Sequence, residues 1–224
     1  MKKEAKKQFY TAFCLLTAFV LWTVLLRLVD TRPVGPQGST VGFATVNQAI
    51  HDFIGLHLFL YTVTDWLGLI PIFVALGFAV LGLIQWFKRK SLLKVDFDIL
   101  VLGGFYVAVM AVFLFFELAV INYRPIMIEG CLEASYPSST TMLAMCVMST
   151  AMMQLDSRMK NGWLKHIILL SMRAFTAFMV IGRLLSGVHW FTDIVGGTLI
   201  SAGLVTLYRA LIFWWELRAL GCEC

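Results

Sequence analysis

The run Phe97–Leu118, FDILVLGGFYVAVMAVFLFFEL, decides the fold of this chain. Its two charges, Asp98 and Glu117, stand near its ends, and the residues between them carry none. A helix that is apolar all round needs lipid or protein on every side. Roughly 18 or more such residues read as a membrane span, because about 20 cross the hydrocarbon layer.

Similar runs lie on both sides of it. We expect six spans, at about 9–29, 64–87, 97–118, 139–155, 166–187 and 190–214. The fourth is short and rich in Ser, Thr and Met. The first is longer and more apolar than a signal peptide, with no small-residue cleavage site after it, and reads as a retained span. The 224 residues are 60% hydrophobic and 14% charged, against about 45–50% and 25% for a soluble domain. The expected fold is all-α: one integral membrane domain over 1–224, a six-helix bundle with an extracytoplasmic loop or interfacial helix.

Basic residues mark every second loop. Lys2, Lys3, Lys6 and Lys7 precede the first span, and Lys88, Arg89, Lys90 and Lys94 separate the second from the third. Arg158, Lys160 and Lys165 separate the fourth from the fifth, and Arg218 follows the sixth. Both termini are therefore expected in the cytoplasm. The net charge of +5 is then a topological signal, and no nucleic-acid partner is expected. The compact layout with short loops suggests a bacterial plasma membrane.

The outward loops are about 30–63, 119–138 and 188–189. In the first, an amphipathic helix is expected from about Val46 to Tyr61. Asn47, His51 and Asp52 would face water, and Ile50, Phe53, Ile54 and Leu58 lipid; the same segment could instead be a buried lid. Cys14 and Cys146 fall within spans, Cys131 outside, and Cys222 and Cys224 in a cytoplasmic tail, so disulfides are not expected. The tail cysteines read as a free end, with acylation as the alternative.

Three polar patches share the outer side. Glu117 to Arg124-Pro125 leaves the third span; Tyr136-Pro137-Ser138-Ser139-Thr140-Thr141 enters the fourth; Gly182-Arg183 to His189 and Asp193 joins the fifth to the sixth. Topology alone brings these ends together. Arg124 and Arg183 suit the oxygens of a phosphoryl group. Pro137 suits a first helical turn, where Ser138, Ser139 and Thr140 would present hydroxyls and free amides to an anion. His189 and Asp193, four apart, would share a helix face, so that the carboxylate fixes one tautomer and leaves the other nitrogen free to attack or coordinate. The further charges Arg173 and Asp65 read as snorkelling or packing residues.

These patches resemble the signatures of the phosphatidic acid phosphatase type 2 superfamily of integral membrane lipid phosphatases, K-x6-R-P, P-S-G-H and S-R-x5-H-x3-D. Arg124-Pro125 matches the first, Pro137-Ser138 the second, and Arg183, His189 and Asp193 the third with its spacing intact. The resemblance implies a phosphohistidine at His189, oriented by Asp193. It implies phosphate binding by Arg124, Ser138 and Arg183, with amides near Ser139 and Thr140. It implies no cofactor or metal.

The chain also departs from the pattern. Glu117 stands for the lysine, Thr140 for the general-acid histidine, Ser139 for the glycine and Gly182 for the serine. Without a positioned acid, expelling an alkoxide is slower by roughly 10²–10⁴-fold. A phosphate leaving group is far less basic, since its second pKa is about 6. The expected substrate is thus a polyprenyl or other lipid diphosphate rather than a monoester. Glu117 would pair with an arginine, or serve as a head-group contact or proton donor. Hydrolysis and transfer to an alcohol remain open. A degenerate, non-catalytic lipid-phosphate or partner-binding protein is the alternative. A transporter is disfavoured by the lack of paired broken helices.

Overall fold

The computed structural model describes residues 2–219 and 221. The chain is all-helical. It runs through α1 (Lys2–Leu28), α2 (Ala44–Ile54), α3 (Leu58–Leu67), α4 (Leu69–Arg89), α5 (Phe97–Leu118), α6 (Ser139–Arg158), α7 (Trp163–Leu185) and α8 (Phe191–Ala219). Short 3-10 turns at Pro36–Gly38 and Leu92–Lys94 complete it. Lys3–Leu28, Leu58–Arg89, Phe97–Leu118, Trp163–Leu185 and Phe191–Arg218 are long and apolar enough to cross a membrane.

α6 is not among those five. Its polarity has a packing cause, because it is surrounded by other helices and meets little lipid. Thr141, Thr150 and Gln154 are buried in it. Gln154 Nε2 donates to the Tyr208 hydroxyl at 2.7 Å, and the Tyr106 and Thr150 hydroxyls lie 3.2 Å apart. Polar side chains satisfied inside the bundle lower the hydropathy of a helix without exposing it to hydrocarbon.

Two boundaries differ from expectation. The segment expected as one amphipathic helix to Tyr61 ends at Ile54, because Gly55 takes φ 73°, a left-handed value that stops α2. The remaining residues begin α3, which continues through Gly68 into α4 as one 32-residue span. Asn47, expected to face water, is fully buried. Its amide donates to Gly42 O at 2.8 Å and to the Thr192 hydroxyl at 2.9 Å, pinning α2 onto the start of α8. Phe53 stays 91% exposed, as a lipid-facing residue would.

α8 is the spine, flanked by α1 and α6, with α7 against α6. Small residues permit the close approaches. A Cβ on Gly196 would meet the Tyr136 ring, its hydroxyl at 2.8 Å. That ring is itself buried, stacked on Phe19 and bonded through its hydroxyl to Thr23 at 2.7 Å. Tyr136 thereby anchors the loop before α6 to the first turns of α8.

One end of the bundle gathers the basic loops. There Arg89 bonds Asp96 at 2.7 Å, Arg158 bonds Asp98 at 2.6 Å, and Lys165 pairs with Asp156 at 2.9 Å. The three polar patches lie at the other end. Cys14 and Cys131 are exposed and Cys146 buried, all as free thiols; Cys222 and Cys224 lie outside the described residues.

Candidate active site

His189 is not on a helix. It lies in the turn Ser186–Trp190 between α7 and α8, while Asp193 occupies the first turn of α8. The shared helix face read from their spacing is thus replaced by a capping geometry. Asp193 Oδ2 accepts the Trp190 main-chain N–H at 3.0 Å, the reach-back of a capping box. The same oxygen stands 3.7 Å from His189 Nδ1, too far for a hydrogen bond but close enough to favour a proton there. The turn itself needs Gly187, with φ 71° and no room for a Cβ against the Gly55 carbonyl.

Both arginines converge on the other ring nitrogen. Arg124 Nη1 lies 3.3 Å and Arg183 Nη2 3.4 Å from His189 Nε2. A guanidinium only donates, so Nε2 is the acceptor and the proton belongs on Nδ1. Behind the arginines stand carboxylates: Glu133 Oε2 is 2.9 Å from Arg124 Nε, and Asp65 Oδ1 is 3.7 Å from Arg183 Nη1. Arg183 is buried, lies over the Tyr61 ring at 5.0 Å, and approaches the Thr64 hydroxyl at 3.4 Å. Asp65 is therefore a counter-ion to Arg183, more than the snorkelling or packing residue expected.

The second patch divides. Ser138 is fully buried as the N-cap of α6, its hydroxyl 3.5 Å from Thr141 N and its own N–H given to Asp193 O at 3.1 Å. Ser139 lines a narrow cleft of about 10 Å³ with His189, Glu117, Ser135 and Pro137, a volume near that of one water. Thr140 points its methyl toward Gly68 at the α3–α4 junction. Glu117 makes no ion pair or hydrogen bond among the described residues, so the expected arginine pairing is absent; Arg124 takes Glu133 instead. Arg173 lies far away, at the basic end.

Sequence reading missed Asn122, Ser135 and Glu133. Asn122 is buried and donates to Asp193 Oδ1 at 3.3 Å, while its carbonyl accepts from Ser135 N at 2.9 Å. A polar residue two before Arg124, between Ile121 and Tyr123, was the available signal for Asn122. Glu133 comes in through the bridge Tyr123↔Ala134, which no local pattern announces.

Residues 10–217 match the model of the PAP2 superfamily. The chain belongs to the PAP2 superfamily. The fold is similar to the crystal structure of the first transmembrane PAP2 type phosphatidylglycerolphosphate phosphatase from Bacillus subtilis. That likeness has a TM-score of 0.61 at 18% identity and covers 93% of this chain and 98% of that one. At such identity it speaks for the fold alone. No curated protein matches the sequence. Superfamily membership and the apolar helices make this PAP2 chain an integral membrane protein and, in outline, support a membrane lipid phosphatase.

The surroundings set the charge of His189. Burial, and then the neighbouring charges of Arg124 and Arg183, hold its pKa well below the usual imidazole value of 6.5. A folded-state pKa below the unfolded one means that the unfolded chain binds the proton first as pH falls. Stability should therefore drop as pH is lowered through about 6.5 toward the folded-state value. The drop should be smaller in His189→Gln. Thermal midpoints of the detergent-solubilised proteins between pH 8 and 5 measure this; parallel curves for the two would refute it.

Proposed function

We propose that this PAP2-superfamily protein is a lipid phosphatase or phosphotransferase acting on a polyprenyl or other lipid diphosphate through a phosphohistidine at His189. One observation carries the reading: two guanidiniums face His189 Nε2, and the Asp193 carboxylate stands 3.7 Å from Nδ1 on the other side of the ring. A terminal phosphoryl group set between them would have its oxygens neutralised while Nε2 attacks in line. The N–P bond forms as the bridging P–O bond breaks, and the lipid monophosphate departs. Water or another alcohol then takes the phosphoryl group and restores the imidazole. The main-chain N–H groups of Ser139 and Thr140 have no partner among the described residues and open the 20-residue α6, which suits an anion.

The preference for an anhydride rests on Thr140, which offers a leaving group no acid comparable to histidine. Wild-type protein should cleave lipid diphosphate with kcat/KM roughly 10²–10⁴-fold above the monophosphate of the same lipid. Thr140→His should raise monophosphate hydrolysis at least about tenfold. Phosphate release from both lipids in mixed micelles checks this, and equal rates on the two would defeat it. Release from neither favours the non-catalytic binding protein.

Glu117 shares the cleft with His189 and has no partner among the described residues, which supports a role in contacting the head group or giving a proton. We place the site at the extracytoplasmic face of a bacterial plasma membrane, with both termini inside, on the strength of the basic loops at the opposite end.

A further inference from the structure

We propose that the end of the bundle opposite His189 holds a second lipid site, which takes the phosphate of an anionic phospholipid between Arg173 and Arg209. A cavity of about 680 Å³ opens there, bordered by the start of α5, the end of α6, Arg173 in α7 and the last third of α8. α7 and α8 run antiparallel. Arg173 lies ten residues after Trp163 at the start of α7, and Arg209 ten residues before Ala219 at the end of α8. The two helices share the turn Ser186–Trp190; Arg173 is 12 residues from Leu185 and Arg209 18 residues from Phe191, so at about 1.5 Å per residue their depths differ by about 9 Å, within the reach of two arginine side chains. Both arginines line the one cavity.

Neither has a hydrogen bond or ion pair among the described residues, although other basic residues at that end do. The carboxylates beside them are largely committed. Asp98 accepts from Arg158 at 2.6 Å, and Asp156, which feels the charge of Arg173, is bound to Lys165 at 2.9 Å. Glu216 has no ion pair among the described residues but lies seven residues beyond Arg209, about 10 Å further toward the helix end. Arginines on membrane-spanning helices are costly and are functional-site candidates by default.

The remaining walls choose between a free anion and a lipid. Leu169, Ile212, Phe213, Met152 and Met153 line the cavity beside the arginines. Apolar walls beside a cationic pair suit a ligand that carries acyl chains as well as a phosphate. This site is independent of the chemistry proposed for His189.

The test uses the full chain in neutral detergent, with phosphatidylglycerol as the probe, because its phosphodiester offers no terminal phosphoryl group. Native mass spectrometry should find phosphatidylglycerol retained at least tenfold over phosphatidylcholine. The preference should vanish in Arg173→Gln/Arg209→Gln and persist in Arg124→Gln at the opposite end. No preference in the wild type, its survival in the double variant, or its loss in Arg124→Gln each overturns the proposal. So does equal thermal stabilisation by inorganic phosphate. If the double variant does not fold, a photoreactive phosphatidylglycerol decides on wild-type protein. Labelling within 152–173 or 208–216 supports the site; labelling confined elsewhere rejects it.

Discussion

Replacing His189 by alanine is expected to lower phosphate release from a lipid diphosphate by roughly 10⁴–10⁶-fold and to abolish any phosphoryl-enzyme. The size of the effect follows from the absence of a substitute. Within the cleft, Glu117, Ser135, Tyr136 and Ser139 carry the other side-chain oxygens, and none faces both arginines as Nε2 does. Alanine would also leave Arg124 and Arg183 without the acceptor at 3.3 and 3.4 Å, so phosphate binding should persist or tighten while turnover stops. Kinetics with a radiolabelled diphosphate, followed by base-stable, acid-labile phosphate on the protein, separates the two. Residual turnover above about one per cent of wild type sinks the nucleophile assignment.

The second large effect is expected from Asp193→Asn, at about 10⁴-fold in kcat where an Asp→Asn change lets the wrong tautomer prevail. In the wild type, Asp193 Oδ2 takes the Trp190 N–H and Oδ1 takes the Asn122 amide, leaving a carboxylate edge 3.7 Å from His189 Nδ1. Asparagine has one acceptor oxygen for those two donors. If that oxygen keeps Asn122, the new NH₂ group takes the Oδ2 position, facing the Trp190 N–H and the imidazole Nδ1. A donor opposite Nδ1 moves the ring proton to Nε2, where two guanidiniums already point. The nucleophile then has no lone pair to offer. The variant should still fold and bind phosphate, so the loss should fall on kcat with KM little changed. A loss of KM alone, or kcat within threefold of wild type, would falsify the orienting role.

The fold class was legible because membrane helices announce themselves one at a time. The run at 97–118 needs no partner to be recognised, and α5 occupies that range. α6 was harder, since its buried Thr150 and Gln154 take their hydrogen bonds from neighbouring helices that a hydropathy window does not see. The end of α2 was missed for a local reason: Gly55 can extend a helix or stop it, and packing against Gly187 selects the stop.

At the candidate site, spacing picked out His189, Asp193, Arg124 and Arg183, and folding brings these four together. It misjudged how two of them meet, because i,i+4 implies a helix face only when both residues are helical. It also expected Glu117 to pair with an arginine, where Glu133 and Asp65 stand instead. Glu133 and Asp65 come from separate segments, and their pairing depends on a loop bridge and on the rotation of α3 against α7.

By itself, the sequence determined the solvent of this protein and the residue types that gather at one end, since hydropathy and residue identity are properties of single segments. Only the tertiary structure decided which nitrogen of His189 meets the guanidiniums, which carboxylate backs each one, and that Arg173 and Arg209 share a cavity. Those are relations between helices, set by side-chain packing and by small residues such as Gly196 that let backbones close on one another.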